Sequence, residues 1–216
     1  MEFDFGRIAA ELRYKLLVSF VGPRPIALVT TRGPDGVGNA APMSFFNVFA
    51  QTPPLLLLGL QDRPGGGRKD TTRNILATRE FVVNLVDEPI ARQMVICAVE
   101  FPPDVDEVRT AGFTLRPSVT IRPGWIAEAP VAFECRLERT VDFPSRCIVF
   151  GEVTYMHVRE ACIDSATLRV RPENYRPVAR MHGDHYVVAE RWQELRKLSY
   201  EEWCAGAGAD AQPRPG

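Results

Sequence analysis

The hydrophobic pattern changes period along the chain, and its clearest stretch is FECRLERTVDF, residues 133–143. Phe133, Cys135, Leu137, Val141 and Phe143 fall on one side, broken only by Arg139, while Glu134, Arg136, Glu138, Thr140 and Asp142 fall on the other. A period of two predicts a strand with one face in a core and one in water. CIVFGEVTYMHV (147–158) follows after PSR, as the return strand of a hairpin would. PIALVTT (25–31) is β-branched and apolar, the turn signal GPDG (33–36) comes next, and the chain beyond it can pair back. PPLLLLGL (53–60) reads as a buried strand entered through prolines, and FVVNLV (81–86) as another.

Helical spacing is confined to short pieces. Residues 7–18 predict an N-terminal helix, and DTTRNILATRE carries helix-start chemistry. PIARQMVICAV (89–99) has Pro89 in its first turn, and DVDEVRTAG (104–112) ends at Gly112. Strands dominate the middle without regular strand–helix alternation, which points to an antiparallel barrel with helices as short insertions. The tail AGAGADAQPRPG (205–216) is small and rich in Gly and Pro, the composition of a disordered terminus.

Composition narrows the function classes. With 216 residues, 45% hydrophobic and 25% charged, the chain has the make-up of a globular domain. A net charge of −1 with mixed signs lacks the basic stripe of a nucleic-acid binder. The longest apolar run is too short for a bilayer, and the N-terminus lacks a signal-peptide layout, so the expected location is the cytoplasm. Five cysteines without a C-x-x-C pair argue against a disulfide scaffold or a zinc site. His182 and His185 in HGDH stand in what reads as a turn, with His157 the sole other histidine, and no metal site is expected.

The chemistry concentrates in GGGRKDTTRNI, residues 65–75. Asp70 separates Lys69 from Thr71, so a Walker loop is absent, and GGG lacks the dinucleotide spacing. The physics of an anion site survives. Asp70 or Thr71 can cap the helix, its first turn offers free N–H groups, Thr71 and Thr72 add hydroxyls, and Lys69 adds charge. Lysine is rare here: of 26 basic residues, three are lysines. A capped surface helix with a solvated lysine is the plainer reading of this spacing alone.

Further motifs change that balance. RPIALVTT, then NAAPMS, then PP, then KDTTRNI, then EFVVNLV stand in an order that resembles the flavin reductase-like family of FMN-binding split barrels. The likeness spans about residues 18–190, leaving 1–17 as a helical extension and 191–216 as a helical segment with a disordered tail. It implies a mainly β fold, an antiparallel split β-barrel with short peripheral helices. It also implies that Ser44, Lys69, Thr71 and Thr72 meet the FMN phosphate, and that the backbone of Asn39, Ala40, Ala41 and Pro42 runs along the isoalloxazine ring. Arg180 and Tyr186, in ARMHGDHY, match an element near the flavin or a dimer interface, and Asn74 matches a position that ties the loop. QDRPGGGR lengthens the approach to the loop and brings Arg63 or Arg68 within reach of phosphate or a second substrate.

The resemblance further implies an oxidoreductase using NAD(P)H to reduce flavin, a homodimer, and a partner oxygenase as recipient. The alternatives left open are direct reduction of another small substrate, an electron carrier, and a scaffold without cofactor. Backbone N–H groups of 39–44, with Arg180, are the expected stabilisers of reduced flavin; no triad or paired carboxylate is required, and the sequence assigns no catalytic residue.

Overall fold

A computed structural model describes residues 1–102 and 105–204. The expected disordered tail, 205–216, and Asp104 of the expected 104–112 helix lie outside the described residues. In chain order the elements are α1 (Ala10–Phe20), β1 (Arg24–Pro25), β2 (Ala27–Arg32), β3 (Gly38–Met43), β4 (Phe46–Gln51), β5 (Pro54–Gln61), α2 (Asp70–Thr78) and β6 (Glu80–Leu85). They continue with α3 (Ala91–Ile96), α4 (Glu107–Thr110), β7 (Leu115–Arg116), β8 (Trp125–Ile126), β9 (Val131–Phe143) and β10 (Arg146–Val158). The last are β11 (Val178–Arg180), β12 (Tyr186–Val188) and α5 (Tyr200–Cys204).

Seven strands form one antiparallel sheet in the order β3-β2-β6-β9-β10-β5-β4. Edge strand β3 comes into contact with β5 from the far side, although the two share no ladder. The sheet therefore curls into a barrel that hydrogen bonds do not close: a split barrel. β2 explains why PIALVTT is continuously apolar. Ala27 and Val29 point into the barrel against Leu58, Phe81 and Val149, while Ile26 and Leu28 pack outside with Ile90, Met94 and Val108. A strand buried on both faces has no wet side to alternate with. The predicted GPDG turn closes the β2–β3 hairpin, with Gly33 N–H donating to the Val37 carbonyl at 2.9 Å and Gly36 at φ +87.

β9 departs from its expected two-faced pattern. Glu134, assigned to the wet face, is fully buried, whereas Val141 and Phe143, assigned to the core face, are exposed. The segment 118–123 crosses β9 and seals Glu134. Its carboxylate accepts from Val119 N–H (2.7 Å), Thr120 N–H (2.7 Å), the Thr120 hydroxyl (2.6 Å) and His157 Nε2–H (2.7 Å). Burial alone pushes this carboxyl's pKa up, but these donors outweigh it and hold the group below its ordinary range. At the other end, the β9–β10 hairpin runs past the core, leaving its tip in solvent.

Gly151 shows how tightly the barrel is filled. A Cβ there would overlap Phe81 Cζ and lie 3.2 Å from Cys135 Cβ, inside the core and beside a register irregularity of β10. Gly151→Ala should cost about 1–3 kcal/mol of stability, read by urea denaturation, with Phe81→Leu recovering part of it. An unchanged midpoint would show that Phe81 has room to move.

The expected capping of α2 is also corrected. Lys69 occupies the cap position, and no side chain caps the helix. Asp70 instead accepts from Arg63 (2.6 Å) and Arg73, and Thr71 Oγ1 accepts from Asn39 Nδ2 at 2.9 Å. α1 begins three residues later than the predicted 7–18 span and contributes no buried residue.

Candidate functional site

The opening between β3 and β5 is a cleft of about 810 Å³. β3 and the turn after it supply Asn39, Ala40, Ala41, Pro42 and Ser44; the start of α2 supplies Lys69, Thr71 and Thr72. Residues as far apart in the chain as Asn39 and Thr71, 32 positions, thus meet at one wall. Asn39 Nδ2–H to Thr71 Oγ1 is the direct bond between the two segments. Asn74 does the tying expected of it, donating to Thr31 Oγ1 at 3.0 Å and fastening α2 to β2.

The helix start carries a surplus of donors. The first intrahelical bond runs from Arg73 N–H to the Lys69 carbonyl (3.0 Å), so the amides of Asp70, Thr71 and Thr72 have no partner within the helix. Thr71's oxygen accepts from Asn39, which leaves its own proton free to donate. The hydroxyls of Ser44 and Thr72 bond to no protein group among the described residues. Arg63 and Arg73 together neutralise Asp70, so its charge does not repel an anion at the same helix end. Lys69 Nζ lies 3.0 Å from Glu100, and this exposed pair, which holds Glu100's pKa below its ordinary value, leaves Lys69 free to exchange partners. Donors and dipole converge with a cation held only by an exposed, exchangeable carboxylate, which is the chemistry a phosphate would satisfy. Of the two arginines weighed for this loop, Arg63 lines the cleft, whereas Arg68 is tied to Asp62 and Asp142 outside it.

The edge of β3 is less generous than expected. Ala40 N–H points away from β2 and is taken by Glu107 Oε2 at 3.3 Å, and Pro42, on the same outward edge by alternation, has no N–H. The amides available along this strip are therefore fewer than the 39–44 stretch implies. Burial raises Glu107's pKa, the backbone N–H groups of Glu107 and Ala40 work against it, and Asp70 and Asp106 add to the rise. Burial likewise pushes the neighbouring Cys97 thiol up to about 12, so it stays protonated and is no thiolate nucleophile.

Arg180 stands apart from the other expected site residues. It lines an adjoining recess of about 450 Å³, which shares Tyr14, Pro42, Met43 and Ser44 with the main cleft. Its guanidinium donates to the Tyr186 hydroxyl and the Gly183 carbonyl, and its carbon lies 4.6 Å from the centroid of the Tyr186 ring. Two of its five N–H donors thus go to its own β11–β12 hairpin. Sequence reasoning missed Tyr14, Phe45, Glu107 and Arg146 as cleft residues. Phe45 directly follows NAAPMS and could have been found from it; Tyr14, Glu107 and Arg146 stand in no recognisable motif, and only the tertiary fold brings them here.

The flavin reductase-like domain family matches residues 22–179. The chain belongs to that family. Among solved structures it is similar to 2-nitrobenzoate 2-nitroreductase NbaA of Pseudomonas fluorescens, at 38% identity and a TM-score of 0.85, covering 93% of this chain and 98% of that one. It is also similar to nitrilotriacetate monooxygenase component B of Bacillus cereus, at 32% identity and a TM-score of 0.86, covering 90% and 98%. A protein with a split-barrel domain from Shewanella frigidimarina, 19% identical over 92% and 100% with a TM-score of 0.79, shares the fold. In this flavin reductase-like protein, NAAPMS and the start of KDTTRNI line one cleft. No described helix is long and apolar enough to cross a membrane.

Proposed function

We propose that the chain binds FMN in the main cleft and is an oxidoreductase that takes reducing equivalents from NADH or NADPH to reduce flavin. The observation that carries this reading is the set of unspent donors at the start of α2, facing the same cleft as the open edge of β3. Ser44, Lys69, Thr71 and Thr72 would hold the phosphate, and the 39–42 backbone would border the ring. When bound, FMN supplies hydride-accepting chemistry, which needs orientation and electrostatics from the protein rather than a nucleophile.

A second reading is favoured by the size of the site. The main cleft continues into the recess beside Arg180, which leaves space for another small molecule next to a flavin. Direct reduction of a nitroaromatic, the reaction in NbaA's name, fits that space, and delivery of reduced flavin to an oxygenase fits the likeness to a monooxygenase component B. A second copy of the chain is the proposed cover for β4, an edge strand that exposes Val48 and Phe49. Five free thiols suit a reducing cytoplasm.

The purified protein should acquire a bound-flavin spectrum on adding FMN, bleach rapidly when mixed anaerobically with NADH or NADPH, and sediment as a dimer. Colour that persists with both donors would leave an electron carrier in place of a reductase. Protein that takes up no FMN would overturn the proposal, and a monomer mass would remove the dimer.

A further inference from the structure

The main cleft contains a cation that FMN binding at α2 does not use. Arg146 opens β10, half-buried, paired with Gln61 of β5 on one side and Phe143 of β9 on the other. Its guanidinium carbon lies 4.9 Å from the centroid of the Phe45 ring and 5.5 Å from that of Tyr14. Tyr14 arrives from α1, with its ring 6.4 Å from Phe45. The nearby acids are engaged elsewhere: Asp62 and Asp142 both hold Arg68. The other cations lining the cleft are paired too, Lys69 with Glu100 and Arg63 with Asp70. Among the described residues, Arg146 is the cleft cation without a protein acceptor.

A guanidinium resting against aromatic rings is held by their quadrupoles and keeps its N–H groups available in its own plane. Those donors match the two oxygens of a carboxylate. The rings themselves give a flat apolar surface, and Ala98, Val99 and Phe101 add apolar lining to the cleft. A single free guanidinium answers a single negative charge.

We propose that Arg146, with Phe45 and Tyr14, is the specificity site for a small substrate that accepts electrons from the reduced flavin, and that this substrate is a flat aromatic monoanion, a carboxylate on a ring. The inference rests on the FMN reading of the cleft and deepens it by naming a substrate class. In it, Arg146 sets which molecules sit beside the flavin, while α2 holds the cofactor. α1 then has a function that its lack of buried residues leaves otherwise unexplained: it delivers Tyr14 to the wall of this site.

The test is equilibrium binding of benzoate against its neutral analogue benzamide. It is followed by the visible spectrum of FMN-loaded protein and by calorimetry on flavin-free protein. The wild type should prefer benzoate by roughly tenfold or more, the worth of a charge-assisted contact. Arg146→Gln should abolish the preference by weakening benzoate alone, with FMN affinity held within about twofold, and Arg146→Lys should restore part of it because charge returns without the planar fork. Equal binding of the two probes by the wild type would overturn the proposal, as would a preference that survives in Arg146→Gln. Loss of FMN with benzoate binding intact would overturn it by assigning Arg146 to the cofactor phosphate. Failure of the FMN reading looks different: the wild type takes up no flavin, and the calorimetric comparison still decides whether Arg146 selects a carboxylate.

Discussion

Lys69→Ala combined with Thr71→Val will raise the dissociation constant for FMN roughly 100-fold, about 3 kcal/mol, because it removes a charge-assisted bond and a hydroxyl donor together. The same double variant will bind riboflavin within about threefold of the wild type, since riboflavin has no phosphate for these groups to meet. Fluorescence quenching of both flavins measures the contrast directly. Thr71 is buried and its oxygen accepts from Asn39, so valine leaves that amide without its partner and costs stability as well. Thr71→Ser keeps the oxygen and should retain FMN binding, which separates loss of a phosphate donor from damage to the Asn39 contact. If FMN and riboflavin weaken alike, or neither weakens, the phosphate does not sit at the start of α2.

Glu134→Ala will lower stability by about 3–5 kcal/mol, since it leaves four donors without their buried acceptor. For a chain of this size the melting temperature should fall by roughly 10 °C, read by circular dichroism at neutral pH. Glu134→Gln keeps the shape and one acceptor oxygen and should lose less. The wild-type carboxyl also makes stability depend on acid. Its folded pKa lies below the ordinary 4.5, so just below that value the unfolded chain binds the proton more readily than the folded one. The stabilisation is complete above the unfolded pKa and is lost as pH falls through the folded one. Between neutral pH and pH 3 the Glu134→Gln variant should therefore lose less stability than the wild type. An alanine variant that melts within about 1 °C of the wild type would mean that the 118–123 segment contributes little to the fold.

Much of the architecture was readable from local pattern. The β2–β3 hairpin follows from GPDG, the β9–β10 hairpin from two runs separated by PSR, and α2 from the helix-forming stretch after Lys69. These signals lie within a few residues of the elements they specify. The site was readable in part for the same reason: the exposed amides of a helix start, two threonines and a lysine are neighbours in sequence before they are neighbours in space. Glu134 was misread because a carboxylate on an alternating strand looks wet until a segment some 15 residues away folds over it. Arg180, expected near the flavin or a dimer interface, lines the adjoining recess and also bonds the Tyr186 hydroxyl and the Gly183 carbonyl of its own hairpin, a local pairing that its motif did not reveal. Arg146 was passed over because an arginine beginning a strand is ordinary until Phe45 and Tyr14 are seen against it.

The sequence by itself determined the two main hairpins, the strands at 53–60 and 81–86 and the presence of an anion-ready helix start, because periodicity, turn residues and unsatisfied helix amides are properties of short stretches of chain. The tertiary structure alone decided which charges are spent and which are free. Whether Lys69, Arg146 or Glu134 meets a partner depends on groups more distant in the chain, and only the tertiary fold brings those groups within bonding distance.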